Sequence, residues 1–210
     1  MAVQQPLGRR AIGAVHKHAV FSRRVKVLAK ALSDFIPQGS RVLDVGAGSG
    51  EIAAAILALR PDLSIEGCDV FVREDTHIPV REFDGKSLPF GDRTFDYAIL
   101  VDVLHHTDDP AELLREVSRV AGSIVTKDHY RNGLLAGARL RFMDWVGNAP
   151  HGVRLPYNYL SRAQWRRLWA GLGLKVRRNT DEIPLYPAPL SWFFGTGLHF
   201  VAELESATHG

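Results

Sequence analysis

Three glycines at alternate positions, Gly46, Gly48 and Gly50, follow the apolar run Val42-Leu43-Asp44-Val45 and precede a helical pattern. A strand must therefore turn sharply into a helix, with the backbone of the turn passing close to whatever it holds. Glycine suits such a turn because it accepts positive φ and presents no Cβ to a ligand. A dinucleotide fingerprint would place its third glycine one residue later, where Glu51 stands, and a phosphate loop would end in Gly-Lys-Ser/Thr. Asp44, just before the turn, is a poor neighbour for a pyrophosphate and a good one for a cationic amino-acid head group.

The pattern around this turn predicts alternating strands and helices. Residues 20–36 carry apolar side chains at helical spacing and stop at Pro37-Gln38-Gly39. Arg41–Val45, Ser64–Asp69, residues 80–83, Phe95–Val101 and residues 122–127 read as strands. Glu51–Leu59 and Pro110–Val120 read as helices, the latter with proline at its start. This order implies an α/β fold, a doubly wound and mostly parallel sheet with right-handed crossovers. In such sheets ligands bind beyond the carboxyl ends of the strands, so the residues just after each strand should carry the chemistry.

Those residues carry a resemblance. The run Val42-Leu43-Asp44-Val45-Gly46-Ala47-Gly48-Ser49-Gly50 resembles motif I of the class I S-adenosylmethionine-dependent methyltransferases. Leu88-Pro89-Phe90-Gly91-Asp92-Arg93-Thr94-Phe95-Asp96 resembles that family's approach to its fourth strand. Val103-Leu104-His105-His106-Thr107-Asp108-Asp109-Pro110 is similar to a segment of the small methyltransferases related to ubiquinone and menaquinone biosynthesis. The resemblance implies a Rossmann-like domain with a seven-stranded sheet, its last two strands (174–178 and 198–204) antiparallel, and adenosylmethionine as cofactor. It assigns the cofactor to Asp44, Gly46, Ala47 and Gly48, to Asp69 for the ribose hydroxyls, to Val70, Asp84 and Gly85 on the adenine side, and to Val101 after the fourth strand. One departure stands out: between Asp69 and Val80 the family has a full helix, and here there is room for about one turn.

The acceptor side is less constrained. An imidazole titrates near neutral pH, so His105 or His106 could serve as a general base, His106 being placed first, with His129 and Asp128 after the fifth strand as further candidates. Either histidine of the pair could instead pack under the cofactor, and His105 is placed with the substrate contacts. Residues 131–160 form an insertion after the fifth strand, with a helix expected over 134–146. Tyr130, Arg141, Trp145 and Tyr157 are its candidate substrate contacts, and a packing helix or homodimer contact is the alternative reading. Residues 161–171 read as a helix with Ser161 and Gln164 as a capping box. Residues 183–194 read as a loop at the pocket rim, and residues 16–21 as a segment closing over the cofactor.

Composition narrows the function classes. A chain of 210 residues suits one domain, here with an N-terminal helical segment, 1–38. The single cysteine, Cys68, excludes an internal disulfide and a cysteine-rich zinc site. The two adjacent histidines have no third ligand at recognisable spacing, so no metal is expected. No apolar run spans a bilayer and the first residues lack a signal peptide's apolar core, so a cytoplasmic protein without integral membrane association is expected. A net charge of +3 is small for a nucleic-acid binder. The expected activity is methyl transfer to O, N or C of a small organic molecule. A lipid-like quinone precursor as acceptor, and a non-catalytic adenosylmethionine-binding module, are the alternatives.

Overall fold

The computed structural model describes residues 22–133, 135–148, 158–188, 190–195 and 197–206. Its strands are β1 (Arg41–Val45), β2 (Ser64–Asp69), β3 (Val80–Glu82), β4 (Phe95–Val101), β5 (Ala121–His129), β6 (Leu174–Thr180) and β7 (His199–Ser206). The helices are α1 (22–33 among the described residues), α2 (Glu51–Leu59), α3 (Pro110–Val120), α4 (Ala136–Asn148), α5 (Arg162–Gly171) and α6 (Leu190–Phe194). The strands form one sheet in the order β3-β2-β1-β4-β5-β7-β6. β7 runs antiparallel to both its neighbours and the other pairings are parallel.

Strand periodicity sorts the core into two layers. Leu43, Val45, Ala98, Leu100, Ile124 and Phe200 point to the face covered by α3 and α5. Val42, Ile99, Val125 and Val201, at the intervening positions, point to the face covered by α1 and α2. Successive side chains of a strand alternate between faces, so a sheet covered on both sides reads as nearly continuous apolar sequence. The helices present matching stripes. In α3, Leu113, Leu114, Val117 and Val120 are buried, and the Asp109 carboxylate caps the helix by accepting the Ala111 and Glu112 amides. In α5, Trp165 and Trp169 are buried one turn apart beneath the expected Ser161–Gln164 capping box.

Three expectations change. β5 continues two residues beyond Lys127 because β7 extends its ladder, with Asp128 opposite Phe200 and His129 opposite His199. Residues 183–194 are not wholly a loop, since α6 closes their end. Residues 70–79 form bends with no helical turn. The expectations for residues 1–21 lie outside the described residues.

Candidate active site

At the carboxyl edge of β1, Gly46, Gly48 and Gly50 all adopt positive φ. A Cβ on Gly46 would lie 2.5 Å from Cγ2 of Val103, so the turn admits no side chain there. The turn is bolted to β2: the Gly46 and Ala47 amides donate to the Cys68 carbonyl, and the Gly48 amide donates to Asp69 Oδ2 at 2.7 Å. Asp69 Oδ1 accepts the Phe71 amide at 3.1 Å. Each carboxylate oxygen has a second lone pair for a ribose hydroxyl. Asp84 Oδ1 accepts the amides of Lys86 and Ser87, which together hold its carboxyl below the usual range. Val70 Cγ1 lies 3.3 Å from the position a Gly85 Cβ would take, so the ends of β2 and β3 meet across that glycine.

Asp44 lies beneath the turn, buried, and burial with the nearby Asp69 pushes its carboxyl up to about 7. A buried acid next to a glycine cradle is an unfavourable arrangement that a cationic ligand would relieve. The expected cofactor fits this donor set: an ammonium for Asp44, a ribose for Asp69, and an open backbone around both.

The second half of the site is a cluster of imidazoles and carboxylates where β4 and β5 end. β4 is followed by Asp102, which has φ of 58°, a strained value for a residue with a Cβ. A 3-10 turn, Leu104–His106, then places the two histidines. Asn158 clamps this turn, its amide donating to the His105 carbonyl and its side chain to the Thr107 carbonyl. His105 Nδ1 lies 2.7 Å from Asp128 Oδ1, both side chains fully buried. Burial disfavours the Asp128 charge, but His105 and His129 outweigh it and hold the carboxyl well below its usual range. An ionised Asp128 can only accept, so His105 Nδ1 donates to it.

Asp102 is bonded by Arg24 of α1 and by the buried ammonium of Lys127. Burial disfavours its charge too, and Lys127, His129 and Arg24 overcome that effect to keep it ionised. His129 Nδ1 lies 3.5 Å from Asp102 and 3.4 Å from Asp128. Burial and Lys127 lower the pKa of His129, and burial lowers that of His199, whose ring packs on it at 4.8 Å. Tyr159 stacks on His105 at 5.3 Å and donates to the Leu140 carbonyl of α4.

The sequence-derived candidates fall as follows. His106 is half-buried against His105, with ring centroids 4.1 Å apart. His129 lies in the cluster. Asp128 is not placed as a base: its carboxylate is strongly acidic, and it orients His105. His105, expected as a base or a substrate contact, lies buried against Asp128. Tyr130 is not a substrate contact. It is 1% exposed and stacked on Phe200, because the longer β5 turns it to the α3–α5 face. Arg141 is exposed on α4. The side chain of Trp145 and the whole of Tyr157 lie outside the described residues.

Asp102, Lys127, Tyr159, His199 and Arg24 join the cluster without being among the candidate site residues of the sequence. Asp102 and Lys127 did carry a signal, as ionisable residues closing two buried strands. One ligand atom each from Asp102, His105, Asp128 and His129 lie within 4.8 Å of one another, a donor set with metal-binding chemistry. Arg24 and Lys127 already supply two positive charges to this cluster, which disfavours a further cation there.

The strand order, the reversed β7 and the glycine cradle at the carboxyl edge define a Rossmann-like class I methyltransferase fold. A model of the methyltransferase domain family matches residues 16–179, and the chain belongs to that family. It is 37% identical over 87 residues to demethylmenaquinone methyltransferase of Corynebacterium kroppenstedtii, covering 39% of this chain and 37% of that protein. It is 36% identical over 103 residues to the uncharacterized methyltransferase YcgJ of Bacillus subtilis, covering 43% and 41%. These matches therefore span less than half the length of the curated relatives. Among solved structures, a putative methyltransferase in complex with the Haloferax volcanii activator Trm112 aligns over 98% of this chain and 99% of its own, with a TM-score of 0.65 and 17% identity. A Thermotoga maritima methyltransferase, described as a possible histamine N-methyltransferase, aligns over 94% and 96%, with a TM-score of 0.65 and 19% identity. At these identities the structures establish the fold alone.

Proposed function

We propose that this chain transfers a methyl group from adenosylmethionine to a small organic acceptor through a phenolic or enolic hydroxyl. The buried Asp128–His105 pair carries the reading. Bound adenosylmethionine supplies a methyl group already activated on a sulfonium. Asp44 accepts the cofactor's ammonium, Asp69 its ribose, and the amides and carbonyls around Gly85 border its adenine. The remaining tasks are to align the acceptor, exclude water and remove one proton. Alignment alone is worth up to roughly 7–11 kcal/mol.

The dyad bears on the choice of acceptor atom. A neutral amine is nucleophilic without help, whereas a phenol or enol must lose its proton as the bond to carbon forms. His105 Nε2 takes that proton, and Asp128 stabilises the resulting imidazolium across the Nδ1 hydrogen bond. The rings of His105, His106, His129 and Tyr159 pack together around the dyad, and a planar aromatic or enolic acceptor would match them in chemistry.

The test is methyl transfer to a panel of phenols, enols and amines by wild type, His105→Gln, Asp128→Asn and His106→Gln, each also titrated calorimetrically with adenosylmethionine. His105→Gln should lower kcat by about 10²–10⁴-fold with cofactor affinity retained. Asp128→Asn should follow it and His106→Gln should fall much less. Undiminished turnover in His105→Gln would remove the dyad from the mechanism. Loss of cofactor binding in Asp69→Ala checks the other half of the site.

A further inference from the structure

The outer sides of α4 and α6 carry several exposed apolar side chains. Leu135 and Phe142, at the start and in the middle of the α4 region, are 69% and 54% exposed, and Trp192 and Phe193 of α6 are 74% and 64% exposed. Two contacts join the helices that carry them. α4 packs on α6, the Arg139 guanidinium donates to the Phe193 carbonyl, and the Phe142 and Phe194 rings stack at 6.3 Å. Water-exposed apolar side chains scattered singly are ordinary; a contiguous group with two large aromatics is not.

Arginine is frequent in and beside α4. Between Asp128 and Asp144, and again between Glu182 and Glu203, the sequence contains no carboxylate, while Arg131, Arg139 and Arg141 fall within the first stretch. Arg131 lies beside Gly137 of α4, and Arg131 and Arg141 are exposed. Aromatic side chains flanked by arginines suit the boundary of an anionic bilayer: the rings enter the headgroup region and the guanidinium groups stay with the phosphates. No described helix is long and apolar enough to cross a membrane, so contact would be with the surface.

The inner sides of the same two elements meet the site. α4 reaches the dyad through Ala136, Leu140 and Tyr159, which pack together with Leu198, and Tyr159 lies on the His105 ring. α6 reaches it through His199, whose Nε2 donates to the Phe194 carbonyl at 2.7 Å while its ring packs on His129. We propose that the outer face of α4 and α6 docks on an anionic lipid surface, from which an amphipathic hydroxyl-bearing acceptor enters beneath Tyr159. The acceptor part of this inference rests on the function proposed above. The docking part stands on the surface alone.

The experiment is co-sedimentation of the full chain with vesicles of pure phosphatidylcholine and of equal parts phosphatidylcholine and phosphatidylglycerol. It compares wild type with the Trp192→Ser/Phe193→Ser double variant. Both side chains are more than half exposed, so folding should survive, and circular dichroism checks that. Wild type should bind only the anionic vesicles and come off in high salt, and the variant should bind at least about tenfold less. Equal binding by the two proteins, or none by wild type, would overturn the proposal. So would a wild-type dimer, seen by light scattering, that the double variant dissolves without any vesicle binding. Adenosylmethionine titration in the absence of vesicles separates the two readings. Vesicle binding without cofactor binding would sink the methyltransferase reaction and leave the docking face; the reverse would sink the face alone.

Discussion

Asp44 ties cofactor binding to pH. Its carboxyl is pushed up to about 7 from an ordinary 3.8, first by burial and then by the charge of Asp69. The folded chain therefore holds a proton on Asp44 that the unfolded chain has lost across that interval. The stabilising difference is full below about pH 3.8, and it is lost as pH rises through about 7. A cationic ligand reverses the preference, because the ionised form then gains a partner. Calorimetry near pH 7 in buffers of different ionisation enthalpy should show proton release on adenosylmethionine binding, with affinity rising as pH is raised through 7. Asp44→Asn should abolish the release and weaken binding; release unchanged in that variant would assign the proton elsewhere. Asp102 poses a different problem, since its charge is what keeps Lys127 and Arg24 paired. Asp102→Asn leaves the buried ammonium uncompensated and should cost about 3–5 kcal/mol in urea unfolding, much of it recovered in Asp102→Asn/Lys127→Met.

The glycine turn and the His105 turn are short elements held by their neighbours. Gly46→Ala would bring a methyl to 2.5 Å from Val103, the residue that leads into the His105 turn, at a φ of 73°. It should cost about 1–3 kcal/mol of stability and most of the cofactor affinity, measured by urea unfolding and by calorimetric titration of the same preparation. The His105 turn is fixed on its far side by the α3 cap. Asp109→Ala removes the acceptor for two amides and should destabilise by about 1 kcal/mol, with kcat falling more than KM changes as His105 loses its seat. The bends between β2 and β3 have a comparable task. His77 donates its amide to the Ser49 carbonyl and Ile78 packs against Gly50, so a segment without a helix still braces the turn.

At the scale of the molecule, the sheet collects the site from distant segments. Arg24 of α1, Asp102 after β4, Lys127–His129 of β5, His199 of β7 and Tyr159 beyond α4 converge because parallel strands end on one edge and β7 is inserted antiparallel beside β5. Lys127 and Arg24 pair with Asp102, and Asp128 pairs with His105, so turnover should be unchanged after exhaustive treatment with a chelator; a loss restored by one divalent ion would place a metal in the cluster. The order of elements, the glycine cradle and the acids after β2 and β3 were legible in the sequence, because strand and helix periods and turn chemistry are local properties. Whether Asp128 is a base or an orienting acid was not legible, nor was the side of the sheet that Tyr130 faces. Both depend on two extra residues of β5, and those are ordered by pairing with a strand about seventy residues away. By itself the sequence determined a doubly wound α/β chain with a cofactor cradle at the end of its first strand. Only the tertiary structure decided which imidazole meets which carboxylate. Burial and hydrogen bonding, which set the charge of each group, arise from long-range packing that no local pattern records.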